Sequence, residues 1–481
     1  MSLGRKTLTS LMYVGAEQYI TVAVGFVTNI LLTRLILPQY FGTLAMAWFF
    51  VGLFQTLKSF NLKAAIIQNK HANDDWLSTQ FMLELLLGVL MLAISLPLYF
   101  LISHYYNVDV AFTMVLLMFF IFFDSFSLTP QAFLEKNIMF RKLALVNLTA
   151  KTVSSVASII IAFAGYGLPS LIVLRGLPSI LTAVILYIKG CWRPRLFFDR
   201  KIACSLLKFS SYLWLTQILM FVTLELDNFF VGTIAGLTAL GFYSRAYIFA
   251  RVPTNVFHEG IAKVLLPVYS QIHEDSQRLS RAFNMVVGSM VRVLTLVSAL
   301  MVVSAPELTV LLFGETWLPL VRILRLLMIY LLLKPIVEHA NVAFISLGKA
   351  SITTKLLLVQ AAILVILVPL FTFFYGTDGA ALGVDIMVLV GFVLSYRRLS
   401  EFISFNYKSV FLPPLIGLVL SILVLYALLS IVRVENLFAS IAIKSIVLSS
   451  VYISSLLLLE RERILRMLKY SASLLFRRDV Q

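Results

Sequence analysis

Ionisable side chains recur inside the long apolar stretches of this chain. They include Glu17, Glu84, Asp124, Lys151, Arg175, Glu225, Asp227, Arg245, Arg251, Arg292, Lys334 and Glu338. At the centre of a bilayer such a residue costs about 2.5–3.5 kcal/mol on insertion scales, so it sits against a partner or a water-filled cavity. Two kinds of chemistry are on offer. Guanidinium and ammonium groups hold an anionic headgroup such as a pyrophosphate, the guanidinium by charge-assisted forked hydrogen bonds. Carboxylates carry a proton or a cation, or pair with the basic groups. The densest stretch places Arg251, Asn255, His258 and Glu259 at helical spacing, with Pro253 among them to bend the helix. Before it, Gln217, Glu225 and Asn228 share one helical face and Thr216, Thr223 and Asp227 another, while Glu17, Thr21 and Thr28 share a face near the N-terminus. Together these positions predict a central cavity with a cationic bias, lined by Lys151, Arg175, Arg245, Arg251, Asn255 and Arg292. Glu17, Asp124, Glu225 and Asp227 are the candidate coupling or structural acids. Interhelical ion pairing, for example Asp227 with Arg245, is the alternative for any one of them. Arg322, Arg325 and Asp385 fall near the ends of apolar stretches, where a long side chain can snorkel to the interface, and are set aside.

Other chemistry finds no support. His71, His104, His258, His273 and His339 show no metal-ligand spacing, and Cys191 and Cys204 suggest neither a zinc site nor a disulfide. No phosphate-binding loop is present. The links between apolar stretches are too short for a catalytic domain and carry no acidic pair of the kind a membrane glycosyltransferase or polymerase needs. Catalytic residues, metals and cofactors are therefore not expected, and the chain does not read as an enzyme. Asn147-Leu148-Thr149 fits a glycosylation triplet but lies inside an apolar stretch, and Gly379 to Gly383 fits small-residue helix packing.

These side chains must be positioned by membrane helices. Of 481 residues, 60% are hydrophobic and 13% charged, against about 25% charged in a soluble domain. The apolar runs are continuous rather than alternating and about twice the length of a barrel strand, so they are helices that satisfy their own backbone. Fourteen spans are predicted, near 11–33, 41–60, 78–102, 110–130, 143–164, 168–188, 208–231, 239–262, 282–304, 319–345, 355–375, 379–396, 410–432 and 437–459. The first reads as a signal anchor rather than a cleaved leader. With the N-terminus in the cytoplasm, every even-numbered link is cytoplasmic. Those links hold the clusters of Lys and Arg, from Lys58, Lys63 and Lys70 to Arg397, Arg398 and Lys408. The opposite links hold almost none. This alternation accounts for the net charge of +16 without nucleic acid and predicts that both termini are cytoplasmic. Residues 460–481 mix basic and apolar residues at helical spacing and read as an amphipathic cytoplasmic tail on the anionic leaflet.

An internal repeat is also visible. Residues 32–50 and 231–249 align at a constant offset that places Gly42 on Gly241, Ala47 on Ala246 and Phe50 on Phe249. Two pseudo-symmetric six-helix lobes follow, at 1–190 and 200–400, with two additional helices at 408–459.

LLTRLILPQYFGTLAMA at the end of the first span, LEKNIMFRKLALVNL at 134–148, LDNFFVGTIAGLTALGFYSRAYIFARVP at 226–253 and LLFGETWLP at 311–319 together resemble the bacterial polysaccharide transport family. That family belongs to the exporter superfamily of multidrug antiporters and lipid flippases, and the resemblance is nearest its colanic-acid- and teichuronic-acid-type branch. The resemblance implies two lobes working by alternating access in the bacterial inner membrane. It implies a substrate of undecaprenyl-pyrophosphate-linked oligosaccharide, turned to the periplasmic leaflet for surface polysaccharide export. The partners implied are that substrate, membrane lipids, a glycan polymerase and a chain-length regulator. The family's recurrent Arg after the first span falls on Arg34, its Asp at the end of the seventh on Asp227, and its Tyr-x-Arg-Ala-Tyr element on Tyr243 to Tyr247. The Arg-rich first span of the lipid II flippase is not reproduced, since Glu17 and Gln18 occupy that region. A cation-coupled drug or small-molecule antiporter of the same fold is the alternative, against which the excess of Arg over acid in the spans argues.

Overall fold

The computed structural model describes the backbone of residues 3–58, 62–69, 73–190, 192–432 and 436–476, with the side chains of 3–14, 16, 64, 209–213, 252–264 and 462–476 outside the description. Every regular element among the described residues is helical. In chain order these are α1 (Leu3–Leu35), α2 (Pro38–Lys58), α3 (Leu62–Gln68), α4 (Asp74–Tyr105), α5 (Val108–Phe122), α6 (Asp124–Lys136), α7 (Phe140–Phe163), α8 (Gly167–Ile188) and α9 (Arg200–Ile234). They continue with α10 (Leu237–Ile272), α11 (Ser276–Val303), α12 (Ala305–Leu312), α13 (Leu320–Leu326), α14 (Met328–Ser346), α15 (Ala350–Leu399), α16 (Tyr407–Ile431) and α17 (Leu437–Phe476).

Each of the fourteen expected spans falls on a helix, or on two helices joined by a one-residue break. Twelve stretches of the described residues are long and apolar enough to cross a bilayer. One of them, α15, holds two expected spans and is broken at Gly376, whose φ of 59° lies in the left-handed region that glycine tolerates. The remaining expected span is α10. Two spans expected to be continuous are not: the fourth breaks at Phe123 and the tenth at Leu327. At their water-facing ends the helices carry side-chain caps. Asn73 accepts from the N–H of Trp76, Asp199 from Lys201, Asp275 from Arg278 and Asn406 from Ser409, which satisfies donors the helices cannot.

The chain forms two compact units, residues 1–244 with 372–377, and residues 245–371 with 378–481. The first holds α1 to α9 and the opening turns of α10. There α2 and α10 cross backbone to backbone. A Cβ on Gly42 would overlap the carbonyl oxygen of Leu237, and a Cβ on Gly241 would overlap that of Pro38. The offset that carries Gly42 onto Gly241 also carries Pro38 onto Leu237. The contact is therefore self-complementary in the sense of a two-fold interface, and the sequence repeat is realised as a physical one. Around it Leu32, Phe41, Met46, Ala47, Leu240 and Tyr243 are fully buried or nearly so.

In the second unit α11 packs against α14, α16 and α17. Phe283 of α11 stacks on His339 of α14 at 4.9 Å, and the His339 Nε2 lies 3.0 Å from the Tyr269 hydroxyl. Ala299, Leu425 and Leu448 join α11 to the last two spans. The backbone of α17 leaves helical geometry at Glu460 (φ −141°, ψ 34°), which separates the span from the basic tail. The tail backbone is helical to Phe476; its side chains beyond Arg461 lie outside the described residues.

The glycine crossing sets an expectation. Gly42→Ala and Gly241→Ala each force backbone apart, at a cost of about 1–3 kcal/mol, and their effects should be strongly non-additive because they open one contact. Gly232→Ala is the control: its Cβ meets only the side chains of Met46 and Leu240. Thermal unfolding in detergent is expected to rank both crossing variants well below the control.

Candidate functional site

Unit 1 encloses a cavity of about 560 Å³ whose polar lining includes Lys58, Glu84, Asp124, Gln217 and Glu225. Lys58, the last residue of α2, points inward. Its Nζ lies 3.3 Å from Glu84 Oε2 on α4 and donates at 2.7 Å to the Ser125 hydroxyl on α6. Both members of the pair are buried, at 7% side-chain exposure. Asp124 opens α6 just past the Phe123 break, faces the Ser179 hydroxyl on α8 and lies within the field of Lys58. Ser125, the second residue of α6, meets the end of α2 through Lys58. Against two of the lining residues, the Arg175 guanidinium on α8 sits 4.8 Å from the Trp48 ring centroid and within the field of Glu225. Glu225 also accepts at 3.1 Å from Asn228 Nδ2. The cavity lining thus combines two lysines, Lys58 and Lys63, with the carboxylates of Glu84, Asp124 and Glu225 and the ring of Trp48.

Asp227 is fully buried and does different work. One carboxylate oxygen accepts from the backbone N–H of Asn228 at 2.9 Å, the other from the Tyr243 hydroxyl at 2.8 Å. It ties the end of α9 to the start of α10, beside the glycine crossing.

The second unit carries its own aromatic and cationic cluster. The Arg251 guanidinium lies 5.7 Å over the Tyr247 ring, and Tyr247 packs on Tyr330 of α14 at 5.0 Å. Arg245 is buried in the same helix. Lys334 pairs with Glu338 along α14 at 3.6 Å. Arg292, expected among the cavity cations, is tied into a different structure. Its guanidinium forms an ion pair with Glu460 at the kink of α17, its NH1 donates to the Gly288 carbonyl at 2.5 Å and its own carbonyl accepts from the Tyr452 hydroxyl at 2.9 Å. This residue locks α11 to the last span.

The other expected residues scatter. Lys151 is exposed on α7, Arg34 is exposed at the end of α1, and Glu17 is half-buried on α1. The side chains of Asn255, His258 and Glu259 lie outside the described residues. Of the residues expected to line the cavity, Arg175 falls in the first unit with Asp124 and Glu225, and Arg245 and Arg251 fall in the second. Two residues escaped sequence reasoning. Lys58 belongs by position to a basic cytoplasmic link, and only its inward direction makes it a cavity residue. Asp385, set aside as able to snorkel, is 4% exposed and accepts from the backbone N–H of Tyr330 at 3.0 Å. Its position six residues past the start of the expected span at 379–396 was the available signal.

Against known proteins, the profile of the family described as polysaccharide biosynthesis protein matches residues 31–322. The lipopolysaccharide biosynthesis protein WzxC of Escherichia coli (strain K12) is 23% identical over 405 residues, covering 82% of this chain and 81% of WzxC. The succinoglycan biosynthesis transport protein ExoT of Rhizobium meliloti (strain 1021) is 24% identical over 303 residues, covering 62% of this chain and 60% of ExoT. In fold, the chain is similar to the lipid II flippase MurJ in its inward closed conformation, with a TM-score of 0.79 at 16% identity over 94% of this chain and 100% of that one.

The Lys58–Glu84 pair sets a second expectation. Removing one partner strands a buried charge, at about 3–5 kcal/mol, so Lys58→Met or Glu84→Met alone should lower the unfolding temperature markedly. The double replacement should recover most of the loss, since two apolar side chains of similar volume leave no charge behind. A double-mutant cycle by thermal unfolding in detergent checks both.

Proposed function

The chain belongs to the polysaccharide biosynthesis protein family, and from that premise we propose that it is a flippase, a transporter and not an enzyme, for lipid-linked oligosaccharide. The substrate is an undecaprenyl-pyrophosphate-linked repeat unit, turned from the cytoplasmic to the periplasmic leaflet of the bacterial inner membrane by alternating access. The observation that carries the reading is the pairing of guanidinium with aromatic ring on both units, Arg175 over Trp48 and Arg251 over Tyr247. Stacking on a ring uses the face of the guanidinium and leaves its donor edge as the binding element. That edge matches a pyrophosphate, and the rings beside it match the faces of sugars. The polyprenyl tail stays in lipid, which accepts it at no cost in hydration.

The rest of the machinery follows on the same reading. Two pseudo-symmetric lobes, 1–190 and 200–400, alternate in access, and the helices at 408–459 are held to α11 through Arg292 and Glu460. Arg34 and Lys151 add positive charge along the route, and Asn255 adds a neutral polar contact. Glu17, Asp124 and Glu225 are carriers for a coupling proton or sodium ion. Both termini lie in the cytoplasm. A glycan polymerase and a chain-length regulator receive the product.

In a deletion strain, lipid-linked oligosaccharide should accumulate in the inner leaflet, and the wild-type gene should clear it. Arg251→Ala and Arg175→Ala should reach the membrane at normal levels yet clear the intermediate about ten- to a hundredfold more slowly, the value of a hydrogen bond to a charged group. Arg251→Lys should restore only part of the rate, because it returns the charge without the fork. Unchanged lipid-linked sugars in the deletion strain would overturn the assignment.

A further inference from the structure

Asp385 has an environment that its position in the sequence does not suggest. It lies in the second segment of α15 and is almost fully buried. Its Oδ1 accepts from the backbone N–H of Tyr330, in the first turn of α14. That N–H is free because the chain breaks at Leu327: helical bonding ends with Leu327 N–H to the Ile323 carbonyl and resumes with Leu331 N–H to the Leu327 carbonyl, each at 3.0 Å. Asp385 is therefore a helix cap supplied from a distant span, and it holds the start of α14 in place. Its other oxygen, Oδ2, is buried with no hydrogen-bond partner among the described residues.

Those two observations oppose each other. The cap and the positive end of α14 favour a carboxylate. A buried carboxylate oxygen with no donor is costly, whereas the neutral acid places a hydroxyl there and loses far less. Among the described residues no side chain forms an ion pair with Asp385, and its partner is the Tyr330 backbone N–H. On the surrounding elements, Arg322 is paired with Asp378 at 2.6 Å and Arg325 donates to the Val302 carbonyl at 3.2 Å. Lys334 is paired with Glu338, and Arg251 lies against Tyr247. A metal ion is a poor fit, since no group of three acidic, His or Cys side chains able to hold one occurs among the described residues.

We propose that Asp385 is a proton-binding site whose occupancy governs the break between α13 and α14. With the proton on Oδ2 the burial is tolerated and the cap on Tyr330 is weak. When water reaches Oδ2 the proton leaves, the carboxylate tightens the cap, and the first turn of α14 is drawn in. Tyr330 carries that movement outward, because its ring packs on Tyr247, beneath Arg251. The proton site stands on geometry alone; its consequence for transport, a proton moved against the anionic headgroup at Arg251, rests on the flippase reading.

The test reads the proton directly. Infrared difference spectra of the purified full-length protein, between acid and alkaline pH, should show the band of a protonated carboxylic acid that shifts in deuterium oxide. Asp385→Asn, which keeps the acceptor for the Tyr330 N–H, should lose that band while retaining its fold. Asp385→Glu should move the band's position and serves in its place if the Asn variant does not fold. Amide exchange of the peptide spanning residues 327–334 should depend on pH beyond the intrinsic rate in wild type and lose that dependence in Asp385→Asn. Spectra of wild type and variant that match across the carboxylic acid region at both pH extremes would overturn the proposal. So would unchanged pH dependence of exchange in the Asn variant. Neither readout involves lipid-linked sugar, so the proposal and the flippase reading fail separately.

Discussion

A charge inside hydrocarbon cannot be left without a partner, and this constraint organises the molecule. Lys58 has Glu84 and Ser125, Lys334 has Glu338, Lys444 has Glu307, and Arg292 has Glu460. Asp227 has Tyr243. Several of these partners lie on different helices, so the pairs determine which spans touch and in what register. Lys58 joins α2 to α4 and α6. Arg292 joins α11 to α17 and, through the Tyr452 hydroxyl, holds that helix twice. In lipid, apolar side chains gain little by leaving their solvent for each other. Direction between helices then has to come from close backbone approach and from polar contacts such as these.

Close approach is supplied at the α2–α10 crossing. Two glycines let two helices meet carbonyl to Cα, and because Pro38, Gly42, Leu237 and Gly241 stand in matching places of the repeat, each helix offers the other the same surface. Asp227 and Tyr243 lie beside this contact and brace the turn that leads into it. A substitution there would act on both copies of the repeat at once. That couples the construction of the membrane domain to its internal symmetry, and it explains why a glycine rather than any small residue is used in each copy.

Breaks in helices do the remaining work. Asp124 and Ser125 follow the break at Phe123 and lie near Lys58 at the end of α2, and the break at Leu327 exposes the N–H that Asp385 caps. Each break releases backbone groups that a continuous membrane helix would satisfy internally. The one at Leu327 is answered by a polar side chain, Asp385, from a distant span. Two guanidinium groups are set on aromatic rings, Arg175 on Trp48 in the first unit and Arg251 on Tyr247 in the second.

Much of this was legible without coordinates. Long uninterrupted apolar runs leave the backbone no choice but helix. For that reason the fourteen spans all fall on helices. The repeat was legible too, since Gly42 and Gly241 occupy equivalent places, but that they touch required the fold. The direction of a side chain was not legible. Lys58 reads as a loop cation and proves to be buried; Arg292 reads as a cavity cation and proves to be bound to Glu460, which lies 168 residues away. Asp385 reads as a residue that could escape to the interface and proves to be a cap. Helical periodicity says which residues share a face, but the partner of that face is a distant part of the chain. With charges costly in lipid, it is the partner, supplied only by tertiary structure, that decides whether a charged residue binds, couples or holds helices together.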